Sequence, residues 1–307
     1  MINVSIINLI KLLSLKKSYY NISFINLMKK KILDSEQKLI CKPFLRWTGS
    51  KSWLVRDGLK SYMPEYFNNY HECFLGGGSV FFSIKPENLS FLSDSNQELI
   101  ETYIQVRDNI DLLLETLKKF KNTEEDYYKI RATKFLKPHT RAARFIYLNR
   151  CSFNGIYRVN SKGEYNVPYG RRKNVDIVTE KNLRTINKVL KGAIIKTSDF
   201  NSTLNNIEEN DLVFLDPPYT VAHENNGFIE YNQKLFSWED QINLKDFVKA
   251  ISDKGAYYIL TNARHDSILE LYQNIGMKFK HSRYSRVGGR TKTRGMYNEL
   301  IICNTIK

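Results

Sequence analysis

The stretch Asp211-Leu212-Val213-Phe214-Leu215-Asp216-Pro217-Pro218-Tyr219 decides the fold. Leu212 to Leu215 is short, wholly apolar and followed at once by breakers, the pattern of a strand buried on both faces. Pro217 and Pro218 have no N–H to offer a ladder, so pairing must stop there. Asp216 is therefore expected at the carboxyl end of a buried strand, where open α/β sheets bind ligands. A carboxylate, carbonyls released from the ladder and an aromatic ring converge at that point. Such a set suits a flat, amino-substituted heterocycle. A stiff turn after a strand can also carry these four residues by chance, so the rest of the chain has to decide.

Working outward, a second ligand-type turn lies upstream. Tyr70 to Phe74 predicts a short strand that runs into Leu75-Gly76-Gly77-Gly78 and then a helix from Ser79. Glycines there let a backbone approach a partner closely. Leu89 to Leu92 predicts the next strand, ending at Asp94, 18 residues after Gly76. That spacing resembles the placing of an acid on ribose hydroxyls at the tip of a second strand. The turn is not G-x-G-x-x-G, so a nucleoside-bearing cofactor fits better than a dinucleotide. Before it, Lys42-Pro43-Phe44-Leu45-Arg46-Trp47-Thr48-Gly49-Ser50-Lys51 reads as a loop entering a helix, with a flat ring and a cation.

From Gln97 to about Lys137 apolar residues recur at helical spacing. Gly155 to Val167 then predicts a β-hairpin turning at Asn160–Gly163. Between Arg141 and Lys191 there are twelve Lys or Arg against three acids, with Tyr and Phe interleaved. Cations with rings suit phosphate contact and base stacking. After Asp216 the α/β rhythm returns. Strands are expected at Ala256–Leu260 and Asn298–Asn304, and helices at Leu244–Ile251 and Asp266–Ile275. Arg283, Arg286, Arg290, Lys292 and Arg294 with Gly288-Gly289 read as a loop over nucleic-acid backbone.

Composition points the same way. The chain of 307 residues carries 47 Lys+Arg against 32 Asp+Glu, a formal net charge of +15. That excess favours a polyanionic partner. Cys41, Cys73, Cys151 and Cys303 are scattered, which argues against a disulfide framework or zinc site and for a reducing compartment. Ile6 to Leu15 is too short for a membrane span. Residues 1–37 read as a loosely ordered extension, with Met28 as an alternative start.

Taken in order, five motifs resemble the Dam-type DNA adenine-N6 methyltransferases, the D12 class of the alpha group. They are Arg46-Trp47-x-Gly49-x-Lys51, Phe74-x-Gly76-Gly77-Gly78, Asp94 after the second strand, the Leu-Asn-Arg…Phe153-Asn154-Gly155 hairpin, and Asp216-Pro217-Pro218-Tyr219. The resemblance runs from about Lys42 to Asn304. It implies an α/β fold: a Rossmann-like class I methyltransferase sheet with an inserted helical plus β-hairpin target-recognition domain. Residues 38–95 and 193–307 would form the catalytic part, and residues 96–192 the recognition part.

The same resemblance implies S-adenosylmethionine as cofactor, contacted by Trp47, Lys51, Phe74, Gly76, Gly77, Gly78, Asp94 and Asp216. It makes Asp216, Pro217, Pro218 and Tyr219 catalytic. It puts Arg46, Ile156, Arg158 and Pro168 on base-contacting positions, and Phe153 and Asn154 on those that wedge into the duplex, with GATC as the expected site. Cys73, where the family usually has Pro, and Ser50, often Gly, depart from the pattern. Double-stranded DNA is the expected partner of a monomeric, cytoplasmic, nucleoid-associated enzyme that uses no metal and no membrane. Other readings are a DNA-binding protein with an inactive methyltransferase fold, an amino-methyltransferase acting on cytosine N4 or RNA, and, from the basic, apolar N-terminus, a membrane-surface protein.

Overall fold

The structure, a computed structural model, describes residues 41–220, 236–285 and 295–306. The expected extension over residues 1–37 and the basic run from Arg286 to Arg294 lie outside the described residues. In chain order the elements are α1 (Ser52–Asp57), β1 (Tyr70–Glu72), α2 (Ser79–Ile84), β2 (Ser90–Asp94), α3 (Gln97–Asp108), α4 (Ile110–Leu117), α5 (Glu124–Ala132), α6 (Pro138–Cys151), α7 (Glu180–Leu190), β3 (Ala193–Thr197), β4 (Leu212–Leu215), α8 (Trp238–Asp253), β5 (Tyr257–Ala263), α9 (Asp266–Leu271), β6 (Met277–Ser285) and β7 (Gly295–Cys303).

The seven strands form one sheet in the order β3-β2-β1-β4-β5-β7-β6. β1 to β5 pair in parallel, whereas β7 runs antiparallel between β5 and β6. This is the expected Rossmann-like methyltransferase sheet. β4 sits at its centre, and all four of its residues are buried, as a strand covered on both faces must be. Alternation sorts them. Leu212 and Phe214 join a core cluster shared with α3, α4 and α6, while Val213 and Leu215 face α8. The chain leaves β1 outward to β2 and β3, then returns to place β4 on the other side of β1. The crevice at that reversal is the ligand position of open α/β sheets.

The opposite end of β1 and β4 is fastened by a buried pair. His71 Nε2 lies 2.8 Å from Asp211 Oδ2, and the imidazole stacks on Phe91 at 4.6 Å. Burial lowers the affinity of His71 for a proton despite its acidic partner.

Several expectations need correcting. The helical stretch from Gln97 breaks into α3, α4 and α5, each with its own N-terminal residue, and α6 follows from Pro138. Asn96 caps α3 and Thr123 caps α5 through side-chain acceptors. The Gly155–Val167 hairpin exists as an arm without regular strands. Isolated bridges join Ser152 to Tyr169 and Val159 to Tyr165. Asn160 N donates to Glu164 O at 2.9 Å and Asn166 N to Arg158 O at 3.1 Å, with the turn at Asn160–Gly163 as expected. Arg283 lies in β6 opposite Tyr297 instead of in a loop. The strands β3 and β6 and the helix α7 were not anticipated. The apolar residues of residues 96–192 belong to the same core cluster as Leu54, Phe81 and Phe214, so this segment is not built on a core of its own. Among the described residues no helix is long and apolar enough to cross a membrane.

Candidate active site at the carboxyl edge of the sheet

Because β1, β2, β4 and β5 are parallel, the residues that follow them gather on one edge. Asp216 emerges there from β4. Its Oδ1 pairs with Lys51 Nζ at 2.6 Å and accepts a hydrogen bond from Thr261 Oγ1 at 2.8 Å. Lys51 is only 2% exposed and Asp216 19%, so the pair is shielded yet reachable from the crevice. Lys51 Nζ also donates to Gly49 O at 2.8 Å and stands 5.1 Å from the centre of the Tyr219 ring. Burial raises the Asp216 proton affinity above the ordinary carboxylate range; Lys51 and Thr261 lower it, and Glu299 adds to the rise. The Leu215 carbonyl accepts from Thr261 Oγ1 at 3.3 Å.

Tyr219 is held from β7, which lies beyond β5 in the sheet, its hydroxyl bonded to Glu299 Oε2. Thr220 is tied on the other side. Gln241 Nε2 donates to Thr220 Oγ1 at 3.2 Å, and Asn262 Nδ2 to Gln241 Oε1 at 3.1 Å. Pro217 is buried between these fastenings, and Pro218 is partly so.

The glycine turn serves a different purpose from the one its composition suggests. Gly76 N donates to Asp94 Oδ2 at 2.9 Å and Gly78 N to Leu75 O at 2.7 Å, so neither N–H is aimed at a ligand. At Gly76, with φ +46°, an added Cβ would stand 2.7 Å from Trp47 Cδ1. The glycines thus let the Trp47 indole lie down on the turn. Asp94 accepts Gly76 N and Asn96 N on separate oxygens, which leaves lone pairs on both for hydroxyl donors. Phe74 packs edge-on to Phe236 at 5.8 Å, facing the α8 side. Cys73 sits 3.2 Å from Thr203 Oγ1, and burial pushes its thiol up to about 12. Glu72, at the end of β1, is fully enclosed and pushed up to about 8 by burial while accepting from Tyr70 OH and Phe81 N.

The residues expected to meet DNA collect on the arm that follows α6, apart from Arg46, which lies beside it on the loop before α1. Phe153 is 44% exposed, and Arg46, Asn154, Arg158 and Pro168 are exposed. Ile156 is half-buried. Asn154 has a positive φ of +55°, which projects it at the tip of a short turn. Phe153 N donates to Pro168 O at 2.9 Å and Gly170 N to Cys151 O at 2.8 Å, closing the base of the arm. Asn149, buried within α6, accepts Arg46 N at 2.8 Å and donates to Arg46 O at 2.8 Å and Gly155 O at 3.1 Å. One side chain so clamps both segments. Arg158 Nε is 2.8 Å from Asn166 Oδ1 across the arm.

Beside the Asn149 clamp, the two regions touch through an aromatic stack. Tyr157, between Ile156 and Arg158, lies on Trp47 with ring centres 5.6 Å apart and planes 23° apart. Its hydroxyl donates to Glu98 Oε2 at 2.9 Å. Sequence reading missed Thr261, Glu299 and Asn149. A polar residue inside an otherwise apolar strand or helix was the available signal in each case.

Comparison with known proteins follows this geometry. The model of the D12 class N6 adenine-specific DNA methyltransferase family matches residues 47–286. The chain is 35% identical over 280 residues to a type II methyltransferase, M1.LlaDCHI, of Lactococcus lactis subsp. cremoris, covering 88% of this chain and 97% of the relative. It is 32% identical over 274 residues to the DNA adenine methylase of Haemophilus influenzae, covering 86% and 94%. Identity to the DNA adenine methylase of Escherichia coli K12 is 29% over 266 residues, covering 82% and 92%.

Proposed function

The chain belongs to the D12 class N6 adenine-specific DNA methyltransferases, and from that premise we propose that it transfers a methyl group from S-adenosylmethionine to adenine N6 in a GATC site. The observation that carries the reading is the convergence of Asp216, Lys51 and Tyr219 at the end of β4. The family uses S-adenosylmethionine in general. The residues here fit that group: a Trp47 face laid on the glycine turn and an Asp94 carboxylate with spare lone pairs for ribose hydroxyls. When bound, the cofactor supplies an electrophilic methyl on a sulfonium whose departure leaves a neutral thioether.

The chain's own residues would do the rest. Adenine's amino nitrogen is a poor nucleophile because its lone pair is delocalised into the ring. The Asp216 carboxylate and the Pro217 carbonyl accept its two N–H bonds and favour a tetrahedral nitrogen with a directed lone pair. The lone pair so directed would face the methyl that the bound cofactor offers, and Asp216 would be the adjacent acceptor for the proton the amino group gives up on methylation. Orientation and fixed charge do most of this work. The target base would have to leave the duplex to bring its amino group to Asp216, which is 19% exposed, and Tyr219 would supply its stacking face. Phe153 and Asn154 would fill the gap left in the helix. Arg46, Ile156, Arg158 and Pro168 would read the flanking bases, an arginine being able to grip guanine O6 and N7 together. Residues 96–192 would thereby act as the target-recognition part.

DNA from cells expressing the chain tests this, using one nuclease blocked by GATC adenine methylation and one that requires it. Protection from the first with cutting by the second is expected. Labelled methyl transfer to oligonucleotides carrying single changes in the site checks the sequence; equal rates on all of them would sink the GATC assignment. The relatives named as type II methyltransferases and as DNA adenine methylases support either a restriction-linked or a stand-alone role.

A further inference from the structure

Glu299 lies in the middle of the Gly295–Cys303 strand and is fully buried, between Asn298 and Leu300 in the chain and in register with Ala263 on one side and His281 on the other. A carboxylate in that setting is costly unless it is paired, and strand formation does not require it. The register explains where it points. Ala263 pairs with Glu299 and Thr261 with Ile301, so Thr261 and Glu299 share one face of the sheet. That is the face of Phe214 and Ile301, on which Asp216 also emerges. Thr261 holds Asp216, and Glu299 holds the Tyr219 hydroxyl.

We propose that Glu299 is a positioning residue: by accepting the Tyr219 hydroxyl it fixes the plane of the ring against which the target base stacks. The proposal rests on the reading of Tyr219 as that stacking face. Pro217 and Pro218 stiffen the backbone up to Tyr219 but leave its two side-chain rotors free. The ring's tip is the one point at which a neighbouring strand can stop both. Glu299 grips the tip, and Lys51 stands over the ring at 5.1 Å. The ring is thus located before a base arrives, which lowers the cost of ordering it during catalysis. β7 is antiparallel and distant in sequence from the Asp-Pro-Pro-Tyr turn. The contact therefore depends on the sheet and not on the motif.

The test is a double-mutant cycle with Glu299→Gln and Tyr219→Phe. The readouts are single-turnover methyl transfer to duplex DNA with labelled S-adenosylmethionine, KM for DNA, and fluorescence of 2-aminopurine at the target position. Each single change is expected to slow transfer by about tenfold, the scale of one charge-assisted hydrogen bond, with KM for DNA little altered. The double variant should be no slower than the slower single one, and the extruded-base fluorescence should change alike in all three. Equal slowing by Glu299→Gln in the wild-type and Tyr219→Phe backgrounds would overturn the proposal, since Glu299 would then act by charge and not through the hydroxyl. Should Glu299→Gln fail to fold, Tyr219→Phe decides alone, and a full rate there would refute it. An active wild-type chain with an additive cycle defeats only this inference, whereas a wild-type chain that transfers no methyl to DNA defeats the functional reading with it.

Discussion

The carboxyl edge of the sheet and the arm after α6 handle polar groups in opposite ways. At the sheet edge Lys51, Thr261 and Glu299 are buried and Asp216 nearly so, and they are paired with one another or with their neighbours. On the arm Phe153, Asn154, Arg158 and Pro168 are exposed, as is Arg46 on the loop clamped beside it, and it is the scaffold beneath them that is buried: Asn149, Tyr165, and Tyr127, whose hydroxyl donates to Val167 O at 2.8 Å. The contrast follows from the work each must do. Stabilising developing charge needs dipoles already fixed and shielded from water. Reading a duplex needs side chains that can reach base edges and phosphates, on a frame that does not bend. A substitution at the edge should therefore alter rate, and one on the arm should alter choice of sequence.

The largest expected effect tests the edge. Asp216→Ala should lower the single-turnover methyl-transfer rate by at least about a thousandfold, since on the proposed reading it removes the acceptor of the target amino group. DNA affinity, measured by fluorescence anisotropy, should stay within about threefold because Asp216 is no part of the exposed arm. A parallel collapse of DNA binding in a folded variant would erase the division between the two regions.

Next in size is the arm. Arg158→Ala should cost about 1–3 kcal/mol, roughly ten- to a hundredfold, on the preferred site and much less on sites altered at the base it reads. Arg171→Ala, an exposed cation beside the arm, should weaken binding to all sequences alike and reduce the salt slope by about one counterion. A uniform loss in the Arg158→Ala variant would reassign it to the backbone.

The Trp47–Tyr157 stack is one place where the regions meet, so it sharpens the comparison. A stacked pair is worth about 0.5–1.5 kcal/mol beyond area. Tyr157→Ala should weaken S-adenosylmethionine binding by up to about tenfold in a titration without DNA, even though Tyr157 sits on the arm. An unchanged affinity would mean that Phe145, 6.4 Å from Trp47, holds the indole by itself.

The smallest effect is in pH. Asp216 must be ionised to accept an N–H bond, and its proton affinity is raised by burial. The rate should accordingly fall on the acid side at a higher pH than for an ordinary carboxylate. Thr261→Val removes a hydrogen bond that favours the ionised form. The sign is therefore upward: the acid limb of kcat/KM should move to higher pH. A downward move would show that Thr261 holds the carboxyl some other way.

Local sequence was enough for part of this. The run Leu212–Leu215 with its two prolines marked the central strand and its end, because four apolar residues and two missing donors allow little else. The same logic marked the turn at Asn160–Gly163 and the acid at Asp94. It did not reveal that Gly76 is a glycine for the sake of Trp47, since those residues are far apart in the chain and meet only when the loop before α1 folds over the turn. Nor did it separate Arg283, a strand residue, from the basic run beyond it, because a cation on an edge strand and one in a loop look alike in composition.

What the sequence determined by itself was the existence of β1, β2, β4 and β5, the Asp216 end of β4 and the family, since each rests on short motifs of residues adjacent in the chain and on their periodicity. What only the tertiary structure decided was who holds those residues. Lys51 and Thr261 meet at Asp216, Glu299 reaches Tyr219, and Asn149 clamps Arg46 to Gly155. Those pairings span long stretches of chain, and their register is fixed by the packing of the sheet and helices and by no local preference.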